Sequence, residues 1–523
     1  MEPSLRLIIC GLVVRGKCRS RVGLCPRGGC QMKKSLPHGS LPEWEMKSQR
    51  SRLFAALVPF VVPMLFLAGS FVALLLGSDR PKAKQIVLDW PGQASIHITA
   101  APFPVPALKH RLLPSPVDQH TGNAAPIYLA AFPAGGKVEF ARLEKYLTCP
   151  LSRLPKDEAA DYVAQFASSL QSLEIAGRRT YCRWEDPVRE EGLRLNLQYV
   201  REGRLLGRLL SLRIRLEILD RRWDDALKSL QTAFALARAY SAGALFLHAM
   251  GSSDADGIEK PLYDRILEWI EAPGSPNLYW ALANLPRPFH DCRQAMDMEN
   301  AAIDFTFPAL RKIDELSPEE AKRTMAEMVR IFDGQTEPAS VNKATVDHVK
   351  RLLPKAKAFL AREDSGRPAT VKSGSDTGTV LRYMILHYRA EADEMYKWAS
   401  MPYWQGARGM QNAMERLDEA KKENFLLSLM PRLVSQSLEM ALRDREAALL
   451  QCVEALRGYC ARHDGNLPSS LESLAPETPA PLDPVLGQPF DYRLENGQAI
   501  LRAASPPPGT SGSQRELRIC VKP

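Results

Sequence analysis

The chain has 523 residues, 45% of them hydrophobic and 25% charged, and a formal net charge of +9. That length supplies two or three domains, each able to bury a core. The charge is local: residues 1–52 hold eleven Lys or Arg against three acids, while the rest balances 58 basic against 57 acidic residues, which excludes a surface of clustered Lys and Arg with stacking aromatics for nucleic acid.

The basic segment 1–52 contains Cys10, Cys18, Cys25 and Cys30. Their gaps differ from the paired C-x2-C of a zinc ribbon, and without apolar periodicity the segment is expected to be disordered. Met32 and Met46 are candidate true starts of translation, since Met46-Lys-Ser-Gln-Arg-Ser-Arg is an ordinary basic lead into an anchor. Leu53–Gly77 follows, twenty-five residues without a charged side chain. As a helix it reaches roughly 38 Å at ~1.5 Å per residue, more than the ~30 Å hydrocarbon layer. Pro59 and Pro63 predict a kink. The apolar run is too long for a signal peptide and ends without a small-x-small site, so an uncleaved single-pass anchor is expected. Lys33 and Lys34 tip the flanking charge towards a cytoplasmic N-terminus, with the main domain outside the inner membrane.

Prolines recur over 78–126, which reads as an extended stalk, although runs such as Ser95–Thr99 suit a strand. A helical domain is expected over 127–363. Ala159, Tyr162, Val163, Phe166, Leu170 and Leu173 recur at helical spacing as one helix from Lys156. Leu205 to Tyr240 reads as a hairpin of two helices about Asp220-Arg221-Arg222, with small Ala226 and Ala233 permitting close approach, and it resembles one tetratricopeptide repeat. Pro276 starts a short helix through Leu285, and another begins near Asp291. Helical patterns resume at 317–333 and 339–363. A Gly/Ser-rich linker is expected at 364–377. Long helices over 378–462 follow, patterned at about 378–398 and 408–429, then a packing spine from Pro431 to His463. The module 463–523 predicts strands at Phe490–Leu494 and Gln498–Arg502 about Glu495-Asn496-Gly497, with a third at Leu517–Val521. The expected fold class is thus mainly α, closed by a small antiparallel β-hairpin module.

Two stretches carry resemblances. Asp464-Gly465-Asn466-Leu467-Pro468 and Asp483-Pro484-Val485-Leu486-Gly487-Gln488-Pro489-Phe490-Asp491-Tyr492-Arg493, after a long helix, resemble the C-terminal half of type II secretion major pseudopilins. The same ending, with Pro-Asn-Leu-Tyr-Trp-Ala-Leu at Pro276–Leu282 and Leu-Pro-Arg-Pro-Phe at Leu285–Phe289, is similar to a family of uncharacterised bacterial single-anchor proteins over most of residues 140–523. That family implies no assigned activity. The chain departs from pseudopilins in lacking a prepilin cleavage site before the anchor and the acidic loop that holds calcium, so no cofactor or metal is expected.

Chemistry-bearing residues are sparse. His290, Gln294 and Asp297 share a predicted helix face beside Asp291 and Glu299, a candidate acid/base corner whose plainer reading is a polar corner capping two helices. In the module, His463, Asp483 and Asp491 stand out, with Asp483 expected to accept turn hydrogen bonds. A Cys149–Cys182 bridge is a hypothesis, whereas Cys452 and Cys460, about 12 Å apart on one helix, cannot pair. The leading expectation is a membrane-anchored, non-enzymatic interaction or scaffold protein that binds a protein partner or itself. The alternative is an envelope hydrolase using the corner at 290–299.

Overall fold

The computed structural model describes residues 93–522 except 133–137, 193, 194, 196, 244, 254–256, 364–374, 432, 476 and 507–513. The expected anchor, the basic segment before it and most of the expected linker lie outside the described residues. Among the described residues, no helix is long and apolar enough to cross a membrane. The body is mainly helical with a small sheet.

The chain enters as strand β1 (Gln93–Thr99), passes 3-10 turns and strand β2 (His120–Asn123), and continues through helices α1 (Ala125–Ala130), α2 (Phe140–Thr148), α3 (Lys156–Ala164) and α4 (Ala167–Gly177). The single helix expected from Lys156 is two. Phe166 leaves helical geometry at φ −109°, ψ 18° and packs its ring 5.5 Å from that of Tyr162, so an inward-facing aromatic breaks a periodicity that sequence alone extends. Strand β3 (Arg179–Tyr181) pairs in parallel with β2. After the short α5 (Val188–Glu191), α6 (Gln198–Leu219) and α7 (Trp223–Ser241) form the expected hairpin. Its turn holds Arg221 at φ +56°, a left-handed backbone costing a non-glycine residue roughly 1 kcal/mol. Ala226 and Ala233 are fully buried where the helices meet.

Helices α8 (Phe246–Ser253), α9 (Lys260–Glu271), α10 (Tyr279–Ala283) and α11 (Arg293–Thr306) follow. The helix expected from Pro276 is shorter, because the Asn277 side chain accepts from Tyr279 N–H at 2.9 Å and delays its start. Helix α12 (Pro318–Phe332) shows why sequence placed it well. Ser317 Oγ accepts from Glu320 N–H, the Glu320 carboxylate accepts from Ser317 N–H, Pro318 occupies the first turn and Arg330 the last, so each end is satisfied locally. Helices α13 (Pro338–Glu363), α14 (Asp376–Ala399) and α15 (Tyr403–Lys421) complete a second apolar cluster, in which Met325, Met384 and Met410 are fully buried. The pattern expected at 408–429 ends as a 3-10 turn at Phe425–Leu429.

The spine is α16 (Leu433–Arg462), thirty residues long. From Arg443 to Gly458 every residue is buried, so this helix runs through the core instead of lying on it. It ends where Gly465 N–H donates to Cys460 O at 2.9 Å. Strands β4 (Asp491–Glu495) and β5 (Gln498–Ala503) then form a hairpin about Asn496 at φ +51° and Gly497 at φ +78°, the twist an Asn-Gly turn supplies.

The module expected at 463–523 is not self-contained. Strand β6 (Arg515–Lys522) pairs antiparallel with β5 and parallel with β1, and the sheet order is β1-β6-β5-β4. Instead of belonging wholly to a stalk, Gln93–Thr99 closes the sheet, opposing Ile96 to Ile519 and Ile98 to Val521. Alternation explains it: Ile96 and Ile98 are buried while Ser95 and His97 are exposed, one face of a half-buried strand. The buried face joins Leu501, Leu517, Leu449 and Leu456 in one core. All six cysteines of the described body are free thiols. The hypothesised Cys149–Cys182 bridge is therefore absent: Cys149 follows α2 against Arg215, 3.9 Å from its guanidinium, and burial pushes the Cys182 thiol up to about 12.

Candidate functional site

The corner flagged at 290–299 does not converge. His290 turns inward, its Nε2 against the carboxylate of Glu259, which also accepts from Tyr263 O–H. Both His290 and Glu259 are buried. Asp291 faces outward and is clasped by Arg293, whose hydrogen bond holds its carboxyl below the usual range. Gln294 and Asp297 are exposed, and Glu299 lies near Tyr388 and Tyr396 of α14, helping to raise their hydroxyls. The helix expected to align these groups begins only at Arg293, which separates His290 from the rest.

His290 lies beside the spine, which carries a series of buried charged groups. Asp444 accepts from Phe289 N–H at 3.2 Å, and burial, reinforced by nearby Glu259, pushes its carboxyl up to about 7. Arg443 pairs with Glu446 at 2.8 Å, and Arg445 with Asp483 at 2.8 Å. Arg457 pairs with Glu454 at 3.0 Å, and also donates to Thr99 O and to Ser275 O and Oγ. Buried ion pairs of this kind fix register more than they add stability, since desolvation offsets much of their attraction. Asp483 accepts from Val485 N–H at 2.8 Å, the expected turn bond, and its buried arginine partner comes from the spine. Asp491 is exposed, and His463 stacks on Tyr459 at 3.7 Å.

A second closed cluster went unread in the sequence. Tyr199 O–H donates to Asp186 Oδ1 at 2.5 Å and meets His248 Nε2 at 2.5 Å, with Trp184 stacked on Tyr199 at 4.8 Å. Burial lowers the His248 pKa, opposed by Asp186. Neither described cavity is lined by these residues.

The open site lies elsewhere, across the first turn of α7. A cavity of about 730 Å³ is walled by Ala100–Val105, Lys109 and His110 on one side, Arg221–Asp225 on another and Gly274–Asn277 below. A neighbouring cavity of about 660 Å³ shares Asp224 and adds Val117, Asp118, His120, Arg178, Leu227, Lys228 and Gln231. Both fall within the usual range for ligand clefts. The floor is tied to the spine: Asn277 Nδ2 donates to Ala101 O and Glu454 O, and Ala101 N–H donates to Arg457 O at 3.1 Å. Phe103 packs edge-on to Tyr279 at 5.8 Å.

His110 is the unusual member. It is only 8% exposed and lines the cavity. Burial lowers its pKa, helped by Lys109 and opposed by Asp224. The imidazole is therefore neutral near pH 7. First-turn N–H groups of a helix lack intrahelical acceptors, and Arg222 at the start of α7 supplies no capping side chain, so that end favours negative charge, part of which Asp224 and Asp225 of its own first turn supply.

Sequence reasoning had the pieces without their meeting: the prolines around His110 and the turn at Asp220–Arg222 were both identified, but no spacing links positions 110 and 221. Among the described residues, no group of three or more His, Cys, Asp or Glu is placed to hold a metal ion. No protein-family model, no curated protein and no solved structure matches this chain.

Proposed function

We infer that the protein is a membrane-anchored, non-enzymatic binding protein that holds a polypeptide partner in the cleft at the start of α7, with Leu53–Gly77 as its tether. One observation carries this reading: a cavity of about 730 Å³, lined by His110, sits on a rigid floor fixed by Asn277 and Arg457, the preorganisation that reduces the entropic cost of binding. The tether rests on the uncharged length of the apolar stretch. The C-terminal pseudopilin-like segment supplies the spine and sheet that hold the cleft in place. The hydrolase alternative is set aside, because its acid and base groups point to different surroundings and its histidine is enclosed.

The test is retention of a defined partner from detergent extracts by the full-length chain, compared with a Trp223→Ala, Phe103→Ala variant that strips the cleft wall. Loss of that partner with an unchanged unfolding midpoint supports the reading. A partner retained equally by both chains places binding elsewhere, and full-length protein that stays in the supernatant of detergent-free lysate removes the tether.

A further inference from the structure

Charge across the cleft is unevenly paired. Arg222 is neutralised by Asp225 at 2.8 Å. Lys109, Arg221 and Lys228 line the two cavities with no ion-pair partner among the described residues, against Asp118 and Asp224. The start of α7, whose first turn carries Asp224 and Asp225, adds backbone N–H groups to this excess of free cations, and His110 lines the same cavity. An anionic group is the one ligand chemistry that satisfies all of them.

The shape narrows the class further. Two cavities meeting at Asp224 make a trough longer than one small anion needs. Its rim carries Val105 and Val117, 91% and 89% exposed, flanking the cations with apolar surface. Exposed apolar side chains beside unpaired cations suit an extended chain that carries both acidic and apolar side chains.

Resting on the binding reading above, we propose that the cleft recognises an extended, acidic segment of a partner polypeptide, with Lys109, Arg221, Lys228 and the α7 N-terminus receiving carboxylates and His110 fixing one of them by hydrogen bond. Arg221 stands exposed at the hairpin corner, in the left-handed turn at φ +56°. Charge complementarity of this kind sets on-rate and selectivity before affinity.

The test uses the full-length chain in nanodiscs of zwitterionic lipid, probed with a displayed library of random peptides. The expected result is a bound pool enriched in Asp and Glu and depleted in Lys and Arg, whose best members lose at least about tenfold in affinity, or ~1.4 kcal/mol, on the Lys109→Glu, Arg221→Glu chain. Both side chains are exposed, so folding is preserved and an unchanged urea midpoint checks it. A pool without acidic bias, or a bias surviving charge reversal, overturns the proposal. Stronger retention on phosphatidylserine vesicles than on any peptide, abolished by the same reversal, assigns the cleft to a lipid surface and also overturns it. If the acidic bias is absent while the partner of the preceding test still depends on Trp223 and Phe103, only the acidic class falls. If both fail, the binding reading falls with it.

Discussion

His290 and His110 each lie near carboxylates, and the molecule treats them in opposite ways. His290 is enclosed with Glu259, Tyr263 and Asp444; its Nε2 meets the Glu259 carboxylate, while its buried Nδ1 has no hydrogen-bond partner. His110 is nearly as buried, yet it lines a cavity. A polar group kept from water costs free energy unless it is hydrogen-bonded. The enclosed site offsets part of that cost through Glu259, as a structural joint does, whereas His110 lines a cavity that a molecule from outside the chain can enter. Composition cannot distinguish the two, because each is a histidine beside an acid.

If the closed network is structural, damage to it should appear as lost stability. Arg457→Ala leaves Glu454 buried and unpaired and removes donors from Thr99 and Ser275. The expected loss is about 5 kcal/mol, read by urea denaturation of the detergent-solubilised chain. A loss below ~1 kcal/mol would make the pair peripheral and erase the contrast.

Asp444 gives the next largest effect, through pH. Its carboxyl titrates near 7 in the folded chain against the ordinary value of 3.8, so between those values the folded state holds the extra proton. Stability from this group is therefore full below pH ~4 and declines as pH rises towards ~7, by on the order of 4 kcal/mol. The groups facing it are Glu259, His290, Arg287 and Tyr263. Asp444→Asn, which keeps the acceptor for Phe289 N–H, removes the decline, and a widening gap in unfolding midpoint between variant and parent from pH 5 to pH 8 checks it.

The spine and the cleft touch at Gly458. A Cβ there would overlap the ring of Phe103, which lines the cleft. Gly458→Ala is expected to cost ~2 kcal/mol by overpacking and to weaken partner binding as Phe103 shifts into the trough. A stability loss with binding untouched would uncouple cleft from spine.

The smallest effect separates the sites most cleanly. Arg221→Gly relieves a left-handed backbone and should stabilise by ~1 kcal/mol while removing a cleft cation, so unfolding moves up as ligand affinity moves down. Stability and binding changing in the same direction would argue that the cleft is structural too.

Local signals located most elements well. The Ser317–Glu320 capping box, the Asp220–Arg222 turn and the Asn496-Gly497 hairpin are each set by a few adjacent residues, and each appears where the pattern puts it. Helical periodicity misled where an inward side chain had a better use off the helix, as at Phe166, or where a side chain capped the backbone late, as at Asn277. The candidate corner failed for the same reason. Its face was drawn on a helix that begins three residues beyond His290.

The sequence by itself determined the apolar stretch at Leu53–Gly77, the confinement of net charge to residues 1–52, the helical class of the body and the order of its hairpins, because all of these follow from composition and short-range period. Only the tertiary structure decided that Gln93–Thr99 completes a sheet with Arg515–Lys522, that the spine lies among buried ion pairs, and that His110 meets the Arg221 turn. The strand pairing and the shared cavity join residues more than a hundred positions apart, and such contacts are selected by complementary burial across the whole core, for which no local spacing carries a signal.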